Sequence, residues 1–114
     1  MSRSTIDVLR HMLEECEYLL ARSRQIDKES FLSDATLRRA FVRSIEIMGE
    51  AARTVPQPFR DAYPGVPWQA IAGMRDRLIH GYFAVDYEIV WDVVQKKVPP
   101  LREQLEAILD AEPE

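Results

Sequence analysis

The feature that most constrains the fold of this chain is a helical spacing of apolar residues that recurs along most of its length. Between residues 6 and 20, apolar side chains follow one another in steps of three and four, which places them on one face of an α-helix. The same spacing recurs over residues 37–55 and 87–108. No segment alternates cleanly with the period of two that a half-buried strand requires. The pattern predicts an all-α fold, an antiparallel bundle of four or five helices.

Residues that favour helix ends define the first two helices. The first is expected to start near Ser4 or Thr5 and to end near Arg24. Ser33 or Asp34 can cap the second helix, because a short polar side chain there accepts a hydrogen bond from a free backbone N–H group. Two prolines then end that helix, and a short turn and a rigid loop are expected to follow.

Two more helices are predicted in the second half of the chain. The third is expected to start at Trp68 and to end at Gly81, since glycine readily adopts the left-handed conformation of a C-terminal cap. Asp86 is the expected N-cap of the fourth. Its apolar spacing continues through Pro99 and Pro100, which predicts one kinked helix or two nearly continuous ones.

Length and composition indicate a single globular domain over residues 1–114. The chain is too short for two well-packed cores, and its 46% hydrophobic and 30% charged residues are typical of a folded domain. No apolar run is long enough to cross a bilayer, and the N-terminus carries no secretion signal. One cysteine, Cys16, cannot form an internal disulfide. We therefore expect a cytoplasmic protein without a membrane partner.

The charge balance leaves the type of partner undecided. A net charge of −4 argues against a general nucleic-acid coat. The cations are mostly arginines, however, and a guanidinium can hold a phosphate with two parallel hydrogen bonds. A local arginine-lined phosphate site remains compatible with the acidic composition.

Residues 73–82 concentrate the polar chemistry of the chain. They include Arg75, Asp76, His80 and Tyr82. On a continuous helix Asp76 would be a direct neighbour of His80, four positions on. Arg75 and His80 would lie roughly 140° apart. They could converge on one ligand through a break at Gly81, or across a dimer axis.

This cluster suggests metal-independent cleavage of RNA. A histidine can move a proton near neutral pH, and an arginine can hold the phosphate oxygens as negative charge grows. Asp76 could orient the imidazole of His80. No compact cluster of metal-ligand residues is evident, so neither a metal nor another cofactor is expected. From spacing alone, an ion-pair network on a solvated face is the more common explanation of such a cluster. Gly49 is expected to serve close helix packing, and this is favoured over catalysis by Glu50.

Several segments together resemble HEPN-domain proteins of the HepT toxin type. They are residues 40–52 (AFVRSIEIMGEAA), 66–68 (VPW), 70–83 (AIAGMRDRLIHGYF) and 85–91 (VDYEIVW). The signature of that family is an arginine, four residues, a histidine, one residue and a tyrosine. It is intact here as Arg75, His80 and Tyr82. The position after the arginine is often asparagine in the family, whereas this chain has Asp76.

The resemblance implies a specific system. It implies a homodimeric HEPN bundle that acts as the ribonuclease toxin of a type VII toxin–antitoxin pair and cleaves tRNA or mRNA. Arg75 and His80 would be the catalytic pair, with Asp76 in support. The cognate antitoxin would be a minimal nucleotidyltransferase that transfers AMP from ATP to Tyr82. Two alternatives stay open: a non-catalytic nucleotide- or partner-binding subunit of a nucleotidyltransferase complex, and a structural dimerisation domain.

Overall fold

Four helices build most of the fold in a computed structural model that describes residues 4–79 and 84–112. They are α1 (Thr5–Ser23), α3 (Ala35–Thr54), α7 (Tyr87–Lys96) and α8 (Val98–Ala111). The first helix, α1, packs against both α3 and α8. Within the described residues the only extended pairing is a single antiparallel bridge, so the prediction of an all-α fold is confirmed.

The predicted starts of α1, α3 and α7 are confirmed by their capping hydrogen bonds. The side chain of Ser4 accepts from the backbone N–H of Asp7. Asp34 caps α3 and Asp86 caps α7 in the same way. The break between α7 and α8 falls at Lys97. Both prolines that follow therefore lie in the first turn of α8, where the missing N–H groups need no intrahelical partner.

Four short helices connect the long ones. They are α2 (Lys28–Ser33), α4 (Gln57–Ala62), α5 (Trp68–Ala72) and α6 (Met74–Leu78). The sequence predicted no helix where α2 lies and only a short turn near α4. The described part of the chain thus has eight helices rather than four or five. The higher number has two causes. Short helices form in the connections, and breaks at Gly73 and Lys97 each divide a predicted helix into two.

The prediction that one helix runs from Trp68 to Gly81 is wrong. Gly73 separates α5 from α6 with backbone angles φ −92° and ψ 0°. The second of these helices ends at Leu78, and Ile79 is extended. Ile79 then pairs with Val85, and the N–H of Asp86 donates to the Leu78 carbonyl at 3.0 Å. Because this pairing draws the chain into an extended conformation, the helix cannot continue towards Gly81.

Apolar side chains from the long helices form one continuous core. Leu9, Met12 and Cys16 of α1 are fully buried, as is Phe41 of α3. Burial raises the pKa of the Cys16 thiol to about 12, which suppresses the reactive thiolate. No helix in the described ranges is long and apolar enough to cross a membrane.

Candidate functional site

Arg75 lies on α6 and is held by a glutamate of another helix. Its Nε atom donates to Oε2 of Glu46, on α3, at 2.9 Å. The Arg75 side chain is 50% exposed and that of Glu46 is 23% exposed. The arginine is therefore anchored on one edge while half of its surface remains open to solvent.

Asp76 lies close to Arg75. Its Oδ1 atom is 3.8 Å from Nη1 of Arg75, and its side chain is 71% exposed. The helix α6 ends at Leu78, and the expected pairing of Asp76 with His80 involves a residue that the structure does not describe. His80 and Tyr82 themselves lie outside the described residues. The roles assigned to Arg75, Asp76, His80 and Tyr82 stay predictions.

Close packing between α3 and α5 brings Glu46 and Arg75 together. A Cβ atom added at Gly49 would lie 3.1 Å from the carbonyl oxygen of Ile71 and 3.5 Å from that of Ala72. Only glycine lets the two backbones approach so closely. The next helix, α6, follows α5 directly, so this contact sets the distance between Arg75 and α3. The predicted packing role of Gly49 is confirmed.

Sequence reasoning missed Glu46, which falls outside the apolar stripe of its helix and was given no role. One signal could have pointed to it. Glu46 precedes Gly49 by three positions, so the two share a helix face, and Gly49 was already expected to face another helix. A carboxylate beside a close helix contact can pair with an arginine of the approaching chain.

Arg38, on α3, is a second arginine with a defined contact. Its guanidinium lies over the ring of Tyr87, 4.7 Å from the ring centre. This geometry is a cation–π contact. It ties α3 to the start of α7, close to Val85 and Asp86. We interpret Arg38 as a structural link between these helices rather than as an open phosphate ligand.

An open apolar groove lies beside α6. It has a volume of about 820 Å³ and is lined by side chains from α3, α5, α6, α7 and α8. Met74 and Leu78 contribute from α6, and Ile89 from α7, while Arg77 and Lys97 add positive charge. Ile89 is 42% exposed, which is high for a large apolar residue. The helix that carries Arg75 thus also borders an uncovered apolar surface.

A metal site would need several ligands in one place. Within residues 4–79 and 84–112, no three His, Cys, Asp or Glu side chains come together in this way. Because His80 is not among these residues, the expectation of a metal-free site stays a prediction.

Comparison with known proteins identifies the family. The family model described as Ribonuclease HepT-like matches residues 12–108. A protein of Caldanaerobacter subterraneus subsp. tengcongensis, named as a candidate RNase, is 50% identical over 104 residues, which cover 91% of this chain and 93% of the relative. A probable ribonuclease HepT of Thermococcus cleftensis is 38% identical over 108 residues, or 95% of this chain and 98% of the relative.

A third relative extends the same result. A candidate RNase of Methanocaldococcus jannaschii is 40% identical over 98 residues, or 86% of this chain and 81% of the relative. No solved structure matches the chain. The family resemblance expected from the sequence is confirmed: the chain belongs to the HepT-like ribonuclease family of HEPN-domain proteins.

Proposed function

We propose that this protein is the RNA-cleaving toxin of a type VII toxin–antitoxin pair, with tRNA or mRNA as its substrate. The observation that carries the proposal is the family match over residues 12–108, within which the arginine–histidine–tyrosine signature is intact. In this proposal Arg75 and His80 form the catalytic pair. The relatives named as ribonucleases support the reaction class.

The proposed reaction is an internal transfer on the RNA strand. The ribose 2′-hydroxyl attacks the adjacent phosphorus and gives its proton to a histidine. The new O2′–P bond forms as the bond to the 5′-oxygen breaks, and that oxygen leaves with a proton from an acid. The products are a 2′,3′-cyclic phosphate and a 5′-hydroxyl. Arg75 would stabilise the negative charge on the non-bridging oxygens, and its exposed half suits contact with a phosphate.

The proposed active form is a homodimer, since Arg75 lies half exposed on a short helix and the site needs a second wall to enclose RNA. The second copy of the chain is the proposed occupant of the apolar groove beside α6. Two features support this choice: the exposed Ile89 in the groove, and the position of α6, which borders both the groove and Arg75. Covering the groove would bury apolar surface and bring two motifs close together.

The dimer can be tested with two large hydrophobic residues of similar exposure. Ile89→Asp should shift sedimentation at micromolar concentration from dimer towards monomer. Tyr18→Asp is the matched control, because Tyr18 is 38% exposed but lies on α1, outside the groove. A wild-type protein that sediments only as a monomer would contradict the proposal.

The proposed control of the toxin is modification of Tyr82. A nucleotidyltransferase antitoxin would transfer AMP from ATP to the tyrosine hydroxyl and release pyrophosphate. The added phosphate charge and nucleotide would repel and obstruct RNA. Co-expression with the neighbouring nucleotidyltransferase should add mass increments of AMP, and Tyr82→Phe should abolish them.

The nuclease activity itself has a direct test. Unmodified protein should cleave cellular RNA in the presence of EDTA, and both His80→Ala and Arg75→Ala should remove the activity while the protein stays folded. Arg53→Ala is the control, because Arg53 is an exposed cation in the last turn of α3. If the unmodified wild-type protein cleaves no RNA in a broad cellular pool, the proposed nuclease activity is contradicted.

One observation favours a second candidate, a non-catalytic binding subunit. The guanidinium of Arg75 already has one carboxylate bound and another at 3.8 Å, and the whole chain is acidic. Such a subunit would bind the nucleotidyltransferase tightly and cause no growth arrest when expressed alone. Toxicity that Arg75→Ala abolishes would exclude it.

A further inference from the structure

We infer that Glu46 is the positioning residue of the proposed nuclease site and that it acts through Arg75. The inference rests on the proposed function and adds to it a residue outside the arginine–histidine–tyrosine signature. Its basis is the hydrogen bond of 2.9 Å between Arg75 Nε and Glu46 Oε2. That distance lies in the range of charge-assisted hydrogen bonds between a guanidinium and a carboxylate.

The edge of the guanidinium that Glu46 binds determines which N–H donors remain free to bind RNA. An arginine has five N–H donors, one on Nε and four on the two Nη atoms. Glu46 takes the Nε donor, which is the one nearest the backbone. The four N–H groups of the two Nη atoms remain, and two of them can donate to two oxygens of one phosphate.

Asp76 differs from Glu46 in both distance and exposure. Its carboxylate is 3.8 Å from Nη1, beyond hydrogen-bond length, and its side chain is 71% exposed. Solvent screens such a contact strongly, so a phosphate can displace it. Glu46 is only 23% exposed, so its pairing with Arg75 is less screened. The two carboxylates therefore have different roles: Glu46 holds the arginine, and Asp76 lies where RNA would bind.

The scaffold keeps this pair in a fixed arrangement. Glu46 is three residues before Gly49, whose Cα faces the backbone carbonyls of Ile71 and Ala72. Arg75 follows three residues after Ala72. Both side chains thus start from backbone segments that are in direct contact. A free arginine samples many rotamers, and the Glu46 hydrogen bond selects one of them before RNA binds.

Positioning predicts a specific kinetic result. Glu46→Ala should lower kcat for RNA cleavage by on the order of 100-fold, the loss that about 1 Å of misplacement can cause, while KM changes little. Glu46→Gln keeps the shape and an acceptor for the Nε–H group, and should retain an intermediate rate even if the alanine variant folds poorly. Glu50→Gln is the matched control, an exposed glutamate one turn further along the same helix, and should leave the rate unchanged.

Two kinetic outcomes would overturn the inference. One is an unchanged kcat in both Glu46 variants. The other is tighter RNA binding with an unchanged kcat, which would mean that Glu46 only competes with phosphate for Arg75.

A second measurement does not depend on activity. In nitrogen-15 NMR spectra of the wild type, the Nε–H signal of Arg75, assigned by its loss in Arg75→Lys, should exchange slowly with water. Glu46→Ala should make it exchange at the rate of free arginine, whereas Glu50→Gln should not. An unchanged signal in Glu46→Ala would overturn the inference. A wild type that cleaves no RNA yet shows this signal change would refute the proposed nuclease and leave the contact between Glu46 and Arg75 established.

Discussion

The long helices and the helices near Arg75 are stabilised in different ways. The side chains of Ser4 and Asp34 cap α1 and α3, and each of these helices buries a stripe of apolar residues in the common core. By contrast, α5 and α6 have five residues each and no side-chain cap. Helices this short are not stable alone in water. The candidate site therefore depends on contacts with the rest of the fold.

The contacts that hold α5 come from residues outside it. Trp68 donates its indole N–H to the Tyr63 carbonyl at 3.0 Å and is 95% buried by its surroundings, with 5% of its surface exposed. The close approach at Gly49 fixes the other side of the helix. The long helices therefore carry the stability, while tertiary contacts determine the geometry near Arg75. Each of the following substitutions tests one side of this comparison.

The largest expected effect is on the core side. Phe41→Ala removes a fully buried ring whose centre is 4.9 Å from that of Phe31. Because the surroundings can fill the cavity only in part, the free energy of unfolding should fall by about 3–5 kcal/mol. Urea denaturation measures the change. A loss below about 1 kcal/mol would contradict the view that this region carries the stability.

Gly49→Val tests the contact that joins the two regions. A side chain here meets the Ile71 carbonyl, which is backbone and cannot rotate away. The strain should lower the free energy of unfolding by about 1–3 kcal/mol, even though valine forms helices better than glycine does. Activity should fall as well, because α6 moves relative to Glu46.

Gly65→Ala is the control for Gly49→Val. Its added Cβ atom would meet only the end of the Gln104 side chain, at 4.0 Å. Stability should stay within about 0.5 kcal/mol of wild type. Equal losses at the two glycines would show that the close approach at Gly49 has no special role.

The difference between locally capped helices and helices held by tertiary contacts also explains which features the sequence could predict. The caps at Ser4, Asp34 and Asp86 and the break before Pro99 follow from local preferences, and each is present in the structure. The end of α6 at Leu78 does not follow from local preferences, because it depends on pairing of the chain with Val85.

In the candidate site, too, the sequence predicts local features but not tertiary contacts. The signature residues can be read directly from the chain, and Arg75 lies half exposed on α6. Its partner Glu46 is 29 positions away. Helical periodicity assigns each residue to a face of its own helix but does not show which helix that face will meet.

Arg75→Ala is expected to have a smaller effect on stability than Phe41→Ala or Gly49→Val. It removes one half-exposed ion pair, and such pairs contribute about 0.2–1 kcal/mol. Thermal unfolding should therefore change little, although RNA cleavage should be lost if the proposed function holds. A loss as large as that of Phe41→Ala would mean that Arg75 is a structural residue, and the contrast between the two regions would fail.

The smallest expected effect concerns α2, a short helix that does have a side-chain cap. The backbone N–H of Ser30 donates to the Asp27 carboxylate at 2.8 Å, and this hydrogen bond lowers the pKa of Asp27 below its ordinary value of 3.8. Because the folded protein has the lower pKa, the charged cap stabilises α2 above the unfolded pKa. That stabilisation is lost as the pH falls through the folded value.

Asp27→Asn retains an acceptor at the cap but cannot titrate. Unfolding free energies of wild type and variant, measured from about pH 6 down to about pH 2, should therefore differ in slope only at the acid end. Asp110→Asn, an exposed aspartate in the last turn of α8 rather than at a helix start, is the control. Parallel curves for Asp27→Asn and wild type would mean that the cap contributes no pH-dependent stability. In that case α2 would depend on tertiary contacts alone, as α5 and α6 do.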